Sequence, residues 1–319
     1  MKTTFRLMLA ALLLVDVASL AVAQAPAAAH NTWTSGAAMP TAVWAPAVGV
    51  VKSEIYVVGG LNASNSAIAN TQIYNPVTNA WTTGVPLPTA TAQAVGAVVK
   101  NVLYVIGGSD NLGQTVSNAV WAYSLKTKTW SSKAAMPTAR GDMAVAVEKN
   151  MIYVIGGYAN GDRLTTVESY SPATDTWTEE APLLVGKSEL SVGLVGTTIV
   201  AADGYTASGD TGDNEGYDAT TNSWKSLAPD PTPRNFACTG AIGPQLYLAG
   251  GNNPGVSGAA MSLTESFKPS KNAWTTPLAS MPQAAMASGS AVYNGQLYCI
   301  GGMATFEANV LDNLQIYQP

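Results

Sequence analysis

Five charged residues recur at nearly equal spacing in the middle of the 319-residue chain. They are Arg140 and Asp142, Lys187 and Glu189, and Arg234. A guanidinium group can hold an acidic ligand through paired charge-assisted hydrogen bonds, and a carboxyl group beside it can move a proton. Because only 11% of the residues are charged, this cluster is the strongest functional signal in the sequence. Asp142 and Glu189 are its candidate catalytic residues.

The composition excludes most other site chemistry. The chain has one histidine, His30, and two cysteines, Cys238 and Cys299. These residues cannot build a zinc site of Cys and His ligands, so we predict no metal and no cofactor. A Ser-His-Asp relay would need His30, which lies near a terminus where a general base is poorly fixed. The net charge of −5 argues against nucleic acid as a partner, since such proteins usually carry a basic patch.

The N-terminal segment has the pattern of a targeting signal. Basic residues near the start precede an apolar run that ends in the small-residue triplet AVA at 21–23. This combination is typical of a secretory signal peptide, and the run is short for a transmembrane anchor. The sequence therefore predicts a signal peptide at 1–23, cleaved after Ala23, and a short leader at 24–30. The protein is then secreted or periplasmic, with no membrane segment after cleavage.

An internal repeat fills residues 31–319. Tryptophan recurs every 47–50 residues, at Trp33, Trp81, Trp130, Trp177, Trp224 and Trp274. Each unit also has a marker residue after an apolar run, which is the first Gly of a diglycine in five units and an Asp in the fourth. The unit markers are Gly59, Gly107, Gly156, Asp203, Gly250 and Gly301. Self-similarity at such a period is typical of propellers and solenoids.

Each unit contains four short apolar or aromatic runs separated by Gly, Pro and Asn, which is the pattern of strands and turns. We call these runs strands a to d; the unit marker follows strand b, and the Trp lies in strand d. Four strands in about 48 residues predict an all-β, six-bladed propeller of four-stranded antiparallel blades. Trp33 has no strands a to c before it, and the last unit reaches Tyr317 without a strand d. We therefore expect the N-terminal strand around Trp33 to close the last blade.

The third unit resembles the kelch repeat. It combines IYVIGG at 152–157, ESYSP at 168–172 and Trp177 with Met136 and Pro137 in the preceding linker, and the resemblance covers all six units. It implies a propeller that binds partners through its loops; some kelch domains bind acidic partners through arginines near the start of strand a. Kelch copper oxidases need histidine ligands that this chain lacks. Periplasmic kelch propellers that mutarotate sialic acid are the nearest enzymatic precedent.

The loops after strand b differ in length between units, whereas the turns from strand c to strand d are uniform. Variable loops on a rigid scaffold usually carry function, which places the site on the face of the b–c and d–a connections, around the central channel. Arg140, Lys187 and Arg234 lie sixteen positions before their unit markers, and Asp142 and Glu189 lie fourteen before. Because residues two apart on a strand share a face, we expect all five at one side of the mouth. The predicted ligand-binding residues are Arg140, Asp142, Lys187, Glu189, Arg234, Tyr158, Arg163, Tyr205 and Asn252, with Asp162 and Asn253 beside them.

Structural roles remain open for several of these residues. Arginine is common at this position of the kelch pattern, so Arg140 and Arg234 equally fit a pairing with backbone or with a neighbouring carboxylate. Lys187 and Glu189 equally fit an exposed ion pair of little energetic value.

Two further features favour plain structural interpretations. The acidic residues at 210, 213 and 215 resemble ligands of a hard cation, but a polar loop explains them more simply. Cys238 and Cys299 fall in strands that are not direct neighbours. We therefore expect two buried free thiols, although secretion would permit a disulfide.

Two functions fit the sequence. The first is a secreted, monomeric binding module that recognises a carbohydrate, an acidic small molecule, or a protein or peptide at the mouth. The second is a cofactor-free sugar mutarotase or epimerase, similar to the kelch sialic-acid mutarotases, in which an arginine holds the acid. There Asp142 or Glu189 would move the proton.

Overall fold

The computed structural model describes residues 30–110, 115–253 and 259–319. The predicted signal peptide and residues 24–29 of the predicted leader therefore lie outside the described residues. Within the described ranges, no helix is long and apolar enough to cross a membrane.

Nearly all regular structure in the described ranges is β-strand, apart from a one-turn 3₁₀ helix at Pro269–Lys271. In chain order the strands are β1 (Thr32–Ser35), β2 (Ala47–Val51), β3 (Glu54–Val58), β4 (Thr71–Asn75), β5 (Ala80–Thr83), β6 (Val95–Val99), β7 (Val102–Ile106), β8 (Val120–Ser124), β9 (Thr129–Ser132), β10 (Ala144–Glu148), β11 (Met151–Ile155), β12 (Tyr158–Ala159), β13 (Asp162–Arg163), β14 (Val167–Ser171), β15 (Thr176–Glu179), β16 (Ser191–Val195), β17 (Thr198–Ala202), β18 (Tyr205–Thr206), β19 (Gly209–Asp210), β20 (Asn214–Asp218), β21 (Ser223–Leu227), β22 (Cys238–Ile242), β23 (Gln245–Ala249), β24 (Thr264–Lys268), β25 (Ala273–Thr275), β26 (Gly289–Tyr293), β27 (Gln296–Ile300), β28 (Met303–Thr305), β29 (Ala308–Val310) and β30 (Leu314–Gln318).

The strands form six four-stranded antiparallel blades, which confirms the predicted propeller. Blades 1 to 5 are β2-β3-β4-β5, β6-β7-β8-β9, β10-β11-β14-β15, β16-β17-β20-β21 and β22-β23-β24-β25, and blade 6 is β26-β27-β30-β1. In blade 6, Trp33 pairs with Tyr317 across the ladder between β1 and β30. The N-terminal strand therefore closes the last blade, as expected. The first strand of each blade packs beside the first strands of its neighbours, so these six strands surround the central channel.

Neighbouring blades pack face to face through apolar clusters. The second strand of each blade is a buried apolar run, such as β11, because other blades cover both of its faces. Each repeat Trp packs on the aromatic residue opposite it in the ladder, with ring centroids 4.9–5.1 Å apart. Its indole Nε1 donates to a carbonyl in the linker before its own blade; Trp177 reaches Ala134 at 2.9 Å. The Trp thus fastens the outer strand of one blade to the chain that arrives from the previous one.

A disulfide joins blades 5 and 6, so the expectation of two free thiols is wrong. Cys238 lies in β22 and Cys299 in β27, with 5.7 Å between their Cα atoms. These strands are not partners in one ladder, which is why the strand order within blades did not reveal the pair. They face each other across the interface between two blades, and packing at that interface brings the sulfur atoms together.

The corner after the second strand needs a residue with positive φ. Gly250 has a φ of +68°, and a Cβ there would lie 2.2 Å from the carbonyl oxygen of Ala285. Asp203 takes this place in blade 4 with a φ of 58°. Beyond the corner, small two-stranded hairpins are described in blades 3, 4 and 6: β12–β13, β18–β19 and β28–β29.

Candidate functional site

Six residues, one from each blade, form a closed ring around the central channel. They are the residues fourteen positions before the unit markers: Ala45, Gln93, Asp142, Glu189, Phe236 and Ala287. The backbone N–H of each donates to the carbonyl oxygen of the corresponding residue in the preceding blade, at 2.8–3.0 Å. All six residues line the same axial cavity. We call this set the mouth ring.

The backbone of the mouth ring explains why neighbouring positions point in different directions. Every member has a positive φ, between 48° and 58°, a conformation outside the extended region. The residue before it forms an isolated bridge to the residue after the corner, as between Gly141 and Tyr158 or Ser188 and Tyr205. The left-handed residue therefore interrupts the strand, and the alternation of side chains does not continue across it.

The residues sixteen positions before the markers consequently lie inside the propeller. We call them the wall residues: Val43, Thr91, Arg140, Lys187, Arg234 and Ala285. All are buried, and the three charged ones have no exposed surface. The prediction that Arg140, Lys187 and Arg234 reach the mouth is wrong, because period-two alternation was applied across a left-handed residue.

Two of these cations are neutralised by partners within their own blade. Arg140 Nη1 lies 2.5 Å from a carboxylate oxygen of Glu168, and its Nη2 donates to the Val154 carbonyl at 3.2 Å. Lys187 Nζ lies 3.2 Å from Glu215 and also donates to backbone carbonyls. The structural interpretation of Arg140 thus matches its placement. Lys187 pairs with Glu215 and not with Glu189.

Arg234 has the most crowded electrostatic surroundings of the wall residues. Its guanidinium contacts Glu265 directly, and its Nε lies 3.6 Å from Asp230 and 3.9 Å from Asp203. Burial raises the pKa of Asp203 well above its usual range, and the nearby Asp230 raises it further. Arg234 is therefore occupied by three buried carboxyl groups and has no surface available to a ligand.

Asp142 and Glu189 are adjacent members of the mouth ring and remain half-buried at the channel. Gln93 donates from Nε2 to Asp142 Oδ2 at 2.8 Å. Burial raises the pKa of Asp142 to about 7. Burial and the neighbouring Asp142 raise the pKa of Glu189 well above its usual range, while the Arg163 guanidinium opposes both rises. Both carboxyl groups therefore bind a proton more readily than exposed ones do, and a protonated carboxyl beside an ionised one can donate a proton while the other accepts one.

The hairpins of blades 3 and 4 place one cation at the mouth. The Arg163 guanidinium carbon lies 5.0 Å from the ring centroid of Tyr158 and 4.8 Å from that of Tyr205. Tyr158 faces Arg163 across the β12–β13 ladder, whereas Tyr205 belongs to the next blade. Cation–π contact with both rings holds Arg163 in place and links the two hairpins.

A second cavity, of about 370 Å³, opens beside the mouth ring over blades 3 to 6. Its lining comprises Arg163, Glu189, Tyr205, Asn235, Phe236, Asn252 and Phe306. Glu189 and Phe236 also line the axial cavity, so the two spaces adjoin. We call this second space the arc cavity.

Two asparagines that line the arc cavity have buried acceptor atoms without partners. Asn235 is 3% exposed and Asn252 is 5% exposed, and the Oδ1 atom of each has no hydrogen-bond partner among the described residues. The Asn235 amide donates from Nδ2 to Asp210 Oδ1 at 2.7 Å, which fixes its Oδ1 as the free atom. A buried acceptor without a donor is costly, so a donor brought by a ligand stabilises this site.

The structure thus brings together six of the nine predicted ligand-binding residues: Asp142, Glu189, Tyr158, Arg163, Tyr205 and Asn252. Asp162 is exposed next to Arg163, and Asn253 donates to the Pro233 carbonyl. The prediction missed Gln93, Asn235, Phe236 and Phe306. Gln93 and Phe236 share the offset of Asp142 and Glu189, which was a usable signal. No sequence pattern pointed to Phe306.

Metal and histidine chemistry have no visible site in the described part of the chain. In that part, no group of three or more His, Cys, Asp or Glu side chains could hold a metal ion. His30 is exposed and its Nδ1 contacts the Pro319 carbonyl at 2.7 Å, beside the pairing of β1 with β30.

The family model described as the KLHDC2/KLHL20/DRC7 Kelch-repeats domain matches residues 14–203, which is more than half of the chain. The chain belongs to the kelch-repeat family. Kelch propellers generally bind proteins or peptides. The solved structure of YjhT is similar to this kelch chain, with a TM-score of 0.72 and 19% sequence identity. The match covers 88% of this chain and 96% of YjhT and shows a shared fold. No curated protein matches the chain.

Proposed function

We propose that this kelch propeller is a secreted binding module that holds a carbohydrate in the arc cavity. The observation that carries the proposal is the pair of buried, partnerless Oδ1 atoms of Asn235 and Asn252. Sugar hydroxyl groups supply the donors that these acceptors lack. The rings of Phe236 and Phe306 in the same cavity offer apolar surface for the C–H faces of a sugar. A few polar groups between apolar walls are typical of small-molecule sites.

The placement of the wall residues favours a carbohydrate over an acidic small molecule. An acidic ligand was expected because three cations were predicted at the mouth. These cations are buried and paired, which leaves Arg163 facing the carboxyl groups of Asp142 and Glu189. A protein or peptide partner remains the alternative occupant, since the hairpins of blades 3, 4 and 6 surround the same opening.

Secretion is part of this proposal. The Cys238–Cys299 disulfide supports an oxidising compartment, because disulfides persist outside the cytosol. The N-terminal pattern of basic residues, apolar run and AVA triplet supports the same compartment.

A glycan array probed with the purified protein tests carbohydrate binding, and two variants locate the site. Asn252→Leu removes one partnerless acceptor, so we expect at least a tenfold loss of affinity for the array's best glycan with no loss of thermal stability. Phe306→Ala removes an exposed ring at the rim, and Val77→Ala, at an exposed apolar position in the turn between β4 and β5, is its control. Binding to no glycan, or binding unaffected by Asn252→Leu and Phe306→Ala, would contradict the proposal.

A second function is favoured by one observation: Asp142 and Glu189 are adjacent in the mouth ring, and burial raises the pKa of both carboxyl groups. In mutarotation, one carboxyl group donates a proton to the ring oxygen of the sugar while a carboxylate accepts the proton of the anomeric hydroxyl. The ring opens, and the reverse transfers close it. NMR of sugar anomers tests this function: we expect acceleration by the wild type and its loss in Asp142→Asn and Glu189→Gln. A rate equal to that of buffer across several sugars would reject it.

A further inference from the structure

The charges around the arc cavity are unbalanced. Asp142 and Glu189 stand side by side in the mouth ring, and Asp210 accepts the hydrogen bond from Asn235. The lining of the cavity contains a single cation, Arg163, which is stacked between two tyrosine rings. Three carboxyl groups therefore meet one guanidinium, and a cationic ligand is complementary to this surface.

The hydrogen-bonding groups point to the same conclusion independently of charge. The partnerless atoms of Asn235 and Asn252 are acceptors, and ionised carboxyl groups are acceptors as well. Arg163 Nε is a buried donor without a partner among the described residues, which suits one ligand oxygen. Acceptors are in excess, so the ligand group at this place must donate several hydrogen bonds. An ammonium group has three N–H donors and no acceptor.

We propose that the ligand is a carbohydrate with a free amino group, whose ammonium is held by the carboxyl groups of Asp142 and Glu189 and by the amide oxygen of Asn235. This inference rests on the proposed carbohydrate binding and names the class of sugar. An N-acetylated sugar lacks the charge and two of the donors, and a neutral sugar has only hydroxyl groups at the same place.

Proton release is a consequence that binding to neutral sugars does not share. Burial keeps a proton on the carboxyl pair, and the pKa of Asp142 is raised to about 7. An ammonium beside the pair favours its ionised form. Arg163 and Asp210 are the other charged groups that face it, with opposite effects. Binding below pH 7 should therefore release protons to the buffer, and affinity should rise between pH 5 and pH 7.

Isothermal titration calorimetry with three matched β-1,4-linked tetrasaccharides tests the inference. They are fully deacetylated chitotetraose, its N-acetylated form and cellotetraose, which carry an amine, an amide and a hydroxyl at the same carbon. At pH 5.5, where the amines of the sugar are already protonated before binding, we expect the deacetylated form to bind at least tenfold more tightly than the other two. Titration in two buffers of different ionisation enthalpy should show proton release with this form alone.

Variants and stability measurements distinguish a failure of the amine inference from a failure of carbohydrate binding or of folding. Glu189→Gln should lower the ratio of the affinity for deacetylated chitotetraose to that for cellotetraose at least tenfold, and it should melt no lower than the wild type. Val77→Ala should leave all three affinities unchanged. Equal affinity for the three sugars, or a preference without proton release, overturns the amine inference while carbohydrate binding stands. Binding to none of the three overturns it as well, and the glycan array then decides the proposed function separately.

Discussion

The wall residues and the mouth ring lie two positions apart in every unit, yet their charges are handled in opposite ways. At the wall, each cation faces a carboxylate: Arg140 with Glu168, Lys187 with Glu215. In the mouth ring, the two carboxyl groups belong to adjacent members, and the charge of Asp142 raises the free energy of ionised Glu189. The wall therefore has the charge pattern of a structural element. The mouth ring has a charge pattern that is typical of a ligand-binding site, because its carboxyl groups lack a compensating cation within the ring.

The partners of the wall cations show that the pairs belong to the fold. Glu168, Glu215 and Glu265 all lie two residues before the aromatic of their third strand. In the three blades whose wall residue is uncharged, Gln72, Trp121 and Gln315 occupy this place. Charge at the wall and charge at its partner position thus occur together or not at all. In blades 3 to 5, three buried ion pairs occupy the positions that uncharged residues fill in the other blades, without contributing to the opening.

Arg234→Met should give the largest effect, because it leaves Glu265, Asp230 and Asp203 buried without a cation. Removing one partner of a buried ion pair typically destabilises a protein by about 3–5 kcal/mol, and this variant should lie at the upper end. Urea unfolding at pH 7 measures the loss. Glu189→Gln, at the mouth ring, is the matched control and should lose nothing. An equal loss in both variants would contradict the distinction between wall and ring.

Arg140→Met should lose about 3 kcal/mol, since it leaves only Glu168 uncompensated. Replacing both partners, as in Arg140→Met with Glu168→Leu, should restore most of this loss, because no buried charge remains. Urea unfolding of the two single variants and the double variant gives the coupling free energy. Additive losses in the double variant would mean that the pair stabilises the fold through packing and not through charge.

The sequence was sufficient for the propeller, because the repeat has a strong period. The Trp and diglycine spacing predicted six blades, and the incomplete first and last units predicted closure by the strand around Trp33. Both are local patterns read along the chain. The Cys238–Cys299 bridge was not predictable in this way, since it crosses between blades and depends on how two sheets pack.

The site was only partly predictable from the sequence, because the backbone conformation that orients its side chains has no sequence signature. The offset of fourteen residues found Asp142 and Glu189, but the left-handed backbone at that position cannot be read from residues as different as Ala45, Gln93 and Phe236. Because this backbone conformation was not anticipated, the wall cations were predicted at the mouth, whereas they are buried inside the propeller. The joint occurrence of wall cations with Glu168, Glu215 and Glu265 was the signal in the sequence that would have corrected this placement.

The carboxyl groups of the mouth ring should lower the free energy of unfolding as pH rises. The folded-state pKa of Asp142, about 7, exceeds that of an unfolded Asp, about 3.9. Between these values the folded protein binds more protons than the unfolded one, so the free energy of unfolding falls as pH rises. Asp142→Asn should therefore flatten the slope between pH 5 and pH 8 and equal or exceed the wild type in stability at pH 8. Urea unfolding at several pH values measures this, and an unchanged slope would contradict it.

Gln93→Leu should give the smallest effect, because it removes no charge and only two hydrogen bonds, the one that Gln93 donates to Asp142 and the one that it accepts from Ser109. Gln93 donates to Asp142, and this bond lowers the pKa of the carboxyl group by stabilising its ionised form. The substitution should shift the pH midpoint of ligand binding upward by less than about one unit and lower the free energy of unfolding at pH 5 by about 1 kcal/mol, because the buried Ser109 hydroxyl loses its acceptor. Titration with deacetylated chitotetraose between pH 5 and pH 8 measures the midpoint. A downward shift would mean that the Gln93 hydrogen bond raises the pKa of Asp142. An affinity that falls as pH rises would mean that the ligand prefers the protonated pair, which would reverse the electrostatic role assigned to the ring.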